Sequence, residues 1–197
     1  MEKSMSTEFR IVEEPKKPLA MHPKKFAMWL FLGSVLMLFA AFTSAYIVRQ
    51  AEGNWLYFEL PQLFYSTTVI ILLSSVSMQW AYFAAKKDNL EIAKVMIAIT
   101  AVLGVAFLIG QLLGWNDLVQ NSIHFVGNPS GSFLYVLTGL HGLHVISAIV
   151  YLFIVLVSVF RLKIHSRNLA PLEMCATYWH FLGGLWLYLF VFLILNR

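Results

Sequence analysis

Residues 131–160 read GSFLYVLTGLHGLHVISAIVYLFIVLVSVF, thirty consecutive positions without Asp, Glu, Lys or Arg. About 20 apolar residues suffice to carry an α-helix across roughly 30 Å of hydrocarbon. This run therefore spans a bilayer with residues left over for tilt or for projection beyond it. A helix is the form required, because a spanning segment in lipid must satisfy its own backbone hydrogen bonds. Outward from this stretch, four more runs of the same kind occupy residues 26–48, 62–85, 92–115 and 172–195. The short alternating segments of a membrane barrel are missing from the sequence. The pattern predicts an all-α integral membrane protein with five transmembrane helices: a tail over residues 1–25 and one transmembrane domain over 26–197.

Composition agrees. Of 197 residues, 59% are hydrophobic and 12% charged, with a mean hydropathy of +0.73; soluble domains run near 45–50% and about 25%. The net charge of +4 would suit nucleic acid only if the basic residues shared a polar face, and they sit instead at the ends of apolar runs, as membrane topology requires. The single cysteine, Cys175, lies inside an apolar run as a small packing residue and forms no intrachain disulfide. The first 25 residues mix six basic and four acidic side chains with Pro15, Pro18 and Pro23 and hold no apolar leader segment, so they are expected to be a flexible cytoplasmic tail.

Orientation follows from the basic residues. Twelve of the fourteen Lys and Arg fall in the tail, in residues 86–94 (Lys86, Lys87, Lys94) and in the fourth connection (Arg161, Lys163, Arg167), while Arg49 and Arg197 fall on the opposite side. The rich side should be cytoplasmic, giving N-inside and C-outside. End signals fit the same spans: Pro61 before the second, Asp88 with Glu91 as a capping box before the third, the turn Asn128-Pro129-Ser130-Gly131-Ser132 leading into the fourth, and Pro171 with Glu173 in the first turn of the fifth. Trp55, Tyr57, Trp115 and Tyr135 near the outer ends, and Trp80, Tyr82, Tyr178 and Trp179 near the inner ones, suit aromatic belts.

The apolar cores contain no ionisable relay of carboxylates or amines, which argues against an autonomous ion pump or transporter. Their polar residues are Gln111, His141, His144 and His180, with hydroxyls such as Ser34, Ser44, Ser74, Ser75, Ser77 and Thr138. His141 and His144, spaced i, i+3, share a helix face. As haem ligands they would need His180 opposite them. Counted from the inner ends of their spans, His180 lies about 10 Å and His144 about 25 Å deep, an ill-matched pair. No carboxylate or thiolate stands near enough in sequence to complete a zinc or iron site. The histidines are therefore expected to hydrogen-bond across helices, with a haem-carrying anchor as the rival reading. Small residues (Gly33, Ser34, Ala40, Ala41, Ser44 and Ala45 in the first span, Gly139 and Gly142 in the fourth, Gly183 and Gly184 in the fifth) fit either close packing within the chain or docking on a larger membrane partner.

Four strings are more specific. KFAMWLFLGSVLMLFAAFTSAYIV at 25–48, IGQLLGW at 109–115, LTGLHGLHVI at 137–146 and YWHFLGGLWLYLF at 178–190 together resemble, in order and across residues 25–195, the haem-copper (cytochrome c) oxidase subunit III family in its five-helix bacterial form. The resemblance implies a bundle split by a lipid-filled cleft into a two-helix and a three-helix group. It implies no catalytic residue and no metal or haem on this chain, with haem and copper on partner subunits of a proton-pumping oxidase. The expected partners are subunit I, further oxidase subunits and structural phospholipids, all in the bacterial plasma membrane, with membership of a larger respiratory supercomplex left open. Lipid or cleft contacts would fall to Lys25, Phe31, His141, His144, Arg161, Glu173, Trp179 and His180. Three acids common in the family are replaced here by Val35, Gly114 and Gly183, which removes the basis for a proton-collecting role at those positions. Quinol oxidases carry a similar subunit, so the electron donor, cytochrome c or quinol, stays open at this point.

Overall fold

The computed structural model describes residues 23–161 and 169–196. It is all-helical there: α1 (Pro23–Ala51), α2 (Gln62–Lys86), α3 (Leu90–Gln120), α4 (Pro129–Phe160) and α5 (Ala170–Leu195). All five are long and apolar enough to cross a membrane. Residues 1–22 of the anticipated tail lie outside the described residues, and Pro23 to Lys25 already form the first turn of α1.

Helix ends follow local chemistry. Pro61 precedes α2, and Pro129 occupies the first turn of α4 behind Asn128, whose side chain accepts from Ser130 N–H at 3.0 Å. The cap of α3 is one residue later than the Asp88–Glu91 pattern suggests. Asn89 accepts from Ile92 N–H at 3.4 Å, while Asp88 adopts a left-handed conformation (φ 56°). The α2–α3 turn is so short that Asn89 N–H returns to the Ala84 carbonyl at 3.0 Å, and Asp88 serves the turn rather than the cap.

Helices α2, α3, α4 and α5 pack as a ring, each against the next, with α5 closing on α2. The tightest seam is α2–α3. A Cβ at Gly110 would collide with Thr67 Cγ2, and one at Gly114 would lie 2.5 Å from Phe64 Cε1. These two glycines, four apart on one face of α3, let the backbones approach where the membrane supplies little apolar driving force. Gly104 makes room for the Trp179 ring of α5, which a Cβ there would meet at 2.6 Å.

Hydrogen bonds between side chains rivet the ring at successive depths. Ser77 bonds Thr100 at 2.7 Å, Gln111 Nε2 donates to Thr67 Oγ1 at 2.9 Å, and Trp115 Nε1 donates to Thr138 Oγ1 at 3.0 Å. Trp179 Nε1 donates to Ser74 Oγ at 3.0 Å and Trp186 Nε1 to Thr68 Oγ1 at 2.9 Å. Each such bond within a membrane contributes on average about 0.6 kcal/mol. Their main role is to fix register among helices that are otherwise uniformly greasy.

Helix α1 stands apart from this ring. It packs on α4 and α5 and makes no close backbone approach to α2, burying only the stripe Leu32, Val35, Phe39, Thr43 and Tyr46. The two-plus-three grouping is thus replaced by a four-helix ring with α1 laid across its α4–α5 side. The physical reason lies in the sequences of α2 and α3. Their connection is a tight turn and their facing glycines interlock, so α2 is committed to α3 and leaves α1 unpaired.

The seam between the first and last helices

Polar contacts at three points fasten α1 to α5 along its length. At the end bearing Lys25, its Nζ meets Glu173 Oε2 at 2.7 Å, both side chains partly exposed (35% and 43%). Thr43 Oγ1 and the Tyr188 hydroxyl lie 3.0 Å apart further along. At the opposite end Tyr46 OH and Gln50 Nε2 both donate to the Asn196 carbonyl, at 3.1 and 3.0 Å. Between the fastenings the two helices part around a cavity of about 630 Å³ lined by Leu36, Phe39, Ala40, His180, Phe181, Gly184, Leu185 and Tyr188. A Cβ at Gly184 would have no atom within 4 Å. The small residues Ala40 and Gly184 thus hold space open, whereas Gly110 and Gly114 close it.

The eight residues anticipated for lipid or cleft contact separate into four places. Lys25, Phe31, Glu173 and His144 gather along the α1 seam: the Phe31 ring is 5.6 Å from Tyr178 and 6.5 Å from His144, and His144 Nδ1 lies 2.7 Å from the Leu140 carbonyl. His180 lines the cavity itself, with Nε2 at 3.0 Å from Gln79 Oε1 of α2. His141 and Trp179 are buried in the ring of helices, and Arg161 caps the far end of α4. Trp179 is therefore a packing residue rather than a belt residue.

His144 and His180 do not lie at the different depths expected from the ends of their helices. Ser147 Oγ and Tyr178 OH are 2.7 Å apart, and Tyr151 OH donates to the Pro171 carbonyl at 3.1 Å, which brings the two histidines nearly level. α4, at 32 residues, overshoots the start of α5, so its last residue is a poor marker of the membrane boundary. What separates the imidazoles is direction: His180 bonds across to α2, while the His144 ring faces Phe31 and Phe39 of α1. Among the described residues no three His, Cys, Asp or Glu converge as a metal site. Sequence reading missed Gln79, Thr43, Tyr188 and Asn196, which are unremarkable until a partner helix faces them. The Gly183-Gly184 pair, expected to serve close packing or docking, divides: Gly183 serves packing (its Cβ would sit 3.0 Å from Ser75 Oγ) and Gly184 lines the cavity.

Five long apolar helices, interlocked in part by glycines and by buried side-chain hydrogen bonds and parted along one apolar seam, define a multi-pass membrane protein. The family model of cytochrome c oxidase subunit III matches residues 54–196. The chain is 25% identical over 194 residues to cytochrome c oxidase subunit 3 of Bacillus sp. (strain PS3), covering 96% of this chain and 93% of that protein. It is 30% identical over 171 residues to a probable cytochrome c oxidase subunit 3 of Nocardia farcinica, covering 82% of each. With cytochrome bo(3) ubiquinol oxidase subunit 3 of Buchnera aphidicola subsp. Schizaphis graminum it shares 26% identity over 178 residues, 88% and 94% of the two chains. The chain belongs to the cytochrome c oxidase subunit III family. It is accordingly a subunit III of a haem-copper oxidase, a multi-pass protein of the bacterial plasma membrane that assembles with other oxidase subunits.

Proposed function

We propose that this subunit stabilises the catalytic subunit I of an oxygen-reducing, proton-pumping oxidase, and that it does so with a phospholipid seated in the α1–α5 seam. The apolar cavity between Phe39 and Gly184 carries this reading. It suits an acyl chain, with the Lys25–Glu173 pair at one end of the same seam available to a headgroup. The orientation is N-inside. Lys25, Lys86, Lys87, Lys94 and Arg161 all stand at helix ends that alternation places on one side of the bundle.

Docking is supported by the outward face of α1. Gly33, Ser34, Ala41, Ser44 and Ala45 are all exposed, so intrachain packing does not account for them. Leu30, Met37 and Val48 share that face with them, whereas the exposed faces of α3 and α4 are more uniformly branched or bulky, with Val102, Val105, Ile109, Val150, Phe153 and Ile154. Small residues allow close helix approach in lipid, so the α1 face suits a helix of subunit I and the α3 and α4 faces suit acyl chains. Haem and copper belong to the partner subunits in this reading, and the chain enters any respiratory supercomplex together with them. Cytochrome c is the proposed electron donor. Similarity to a ubiquinol oxidase subunit carries the alternative, which a donor assay on the purified complex decides.

Gentle purification of the tagged chain should recover subunit I, identified by mass, together with a haem spectrum. Oxidase lacking this chain should start at a measurable rate and lose activity over fewer turnovers than the intact enzyme. Equal lifetimes, or a chain that never travels with an oxygen-reducing partner, would overturn the proposal.

A further inference from the structure

Midway through the ring, polar atoms of two buried side chains on neighbouring helices have no partner among the described residues. His141 on α4 is completely inaccessible (0% exposed), and neither ring nitrogen has a hydrogen-bonding group within reach. Gln111 on α3, 5% exposed, donates through Nε2 to Thr67 Oγ1 at 2.9 Å, yet its Oε1 is equally unpaired. The two are level. Trp115 Nε1 bonds Thr138 Oγ1 at 3.0 Å across antiparallel α3 and α4. One turn back from Trp115 is Gln111, and one turn on from Thr138 is His141. Both face the interior: His141 meets the Phe107 ring at 5.9 Å, and Gln111 reaches Thr67 of α2.

The surroundings are otherwise apolar or already bonded. Phe107, Phe39 and Trp186 ring the imidazole, with centroids at 5.9, 6.4 and 5.2 Å. The Trp186 N–H is committed to Thr68, and the Thr138 hydroxyl donates to the Leu134 carbonyl at 2.7 Å. Apart from the imidazole's own N–H, no donor among the described residues remains for Gln111 Oε1. Buried polar atoms are almost always paired, with an internal water as the usual partner where protein supplies none.

We infer that an internal water molecule is bound between Gln111 Oε1 and the ring of His141, joining α3 to α4 at mid-depth. The water donates one hydrogen to Gln111 Oε1. With the ring it either donates its second hydrogen to the unprotonated nitrogen or accepts from the N–H, since a neutral imidazole offers one of each. Two polar partners on two helices fall within the two to four that buried waters use. The consequence reaches α1. The imidazole and the Phe39 ring pack edge to face at an interplanar angle of 71°, so a ring oriented by the water also sets the seat of the helix that lines the cavity.

The test is a water-resolving cryo-EM map of the assembled oxidase in lipid nanodiscs, for the native chain and for Gln111→Leu. Expected is density within hydrogen-bonding distance of both Gln111 Oε1 and a His141 nitrogen, lost in Gln111→Leu while the helices keep their places. Native density that is empty there, a direct His141–Gln111 bond, or density unchanged in the variant overturns the inference. Thermal midpoints of His141→Phe, Gln111→Leu and the double variant give an independent reading. Each single change should lower the midpoint by about 2–10 °C, and the double should fall by clearly less than the sum, because it leaves no orphan. Additive losses overturn the proposal. Should His141→Phe fail to assemble, the native and Gln111→Leu maps decide alone.

Discussion

The α2–α3 seam and the α1–α5 seam join helices of similar length and hydropathy by opposite means. In the first, glycines four apart bring Thr67 and Phe64 against the α3 backbone, and hydroxyls pair deep within the layer. In the second, polar contacts sit at the ends and one point between, and small residues enclose an apolar space. Glycine thus has two uses in one bundle, and the neighbour across the seam decides which. Where hydrophobic burial offers little, tight van der Waals contact supplies stability. A seam that forgoes that contact needs some other occupant to replace it.

The largest effect should come from filling the tight seam. Gly110→Leu or Gly114→Leu drives a side chain into Thr67 or Phe64, and because the backbone of α2 must retreat, the loss should be about 3 kcal/mol or more. Expression with a fluorescent tag and a thermal-shift profile in detergent would register it as loss of the monodisperse species. Next comes removal of a buried rivet: Ser74→Ala strands the Trp179 N–H, for an expected loss of about 1–2 kcal/mol. Its partner control, Trp179→Phe with Ser74→Ala, should recover part of that.

How much of this was legible in the sequence depends on how local the cause is. The five spans are set by runs of apolar residues that no other solvent tolerates, and the helix ends by Pro61, Asn89, Asn128 and Pro171, so both could be read within a residue or a few. Helix adjacency could not. Gly33 and Gly110 look alike in a string, yet the first has nothing within 4 Å and the second meets Thr67. The site was legible in part for the same reason. Lys25, Glu173 and His180 carry charge or an imidazole and were visible as candidates, while Gln79 and Tyr188 acquire meaning only from the helix opposite. Trp179 misled because an aromatic near a helix end suits a belt as well as a core. The depth of His144 misled because α4 overshoots its neighbour.

A smaller effect separates the two seams at their rims. The Lys25–Glu173 pair is about two-fifths exposed, and exposed ion pairs contribute about 0–1 kcal/mol. Lys25→Gln or Glu173→Gln should therefore lower the thermal midpoint by no more than a degree or two. Native mass spectrometry should nonetheless show weaker retention of anionic phospholipid in Lys25→Gln, because the ammonium is the headgroup's partner in the proposed site. Glu173→Gln should retain lipid at least as well, having freed that ammonium.

The smallest effect on stability, and the sharpest contrast with Gly110, belongs to Gly184. An added side chain there enters open space bounded by Leu36, Phe39 and Ala40. Gly184→Leu should leave the thermal midpoint nearly unchanged or slightly raised, since leucine favours a helix over glycine by about 0.8 kcal/mol. The same change takes up volume that an acyl chain would use, so lipid co-purifying with the subunit should drop, and the oxidase should then lose activity over fewer turnovers although the protein is no less stable. A stable Gly184→Leu subunit with unchanged lipid content would mean that the seam is merely loose packing. Loss of lipid and of lifetime together, without loss of fold, would tie the open seam to what the subunit does for its partners.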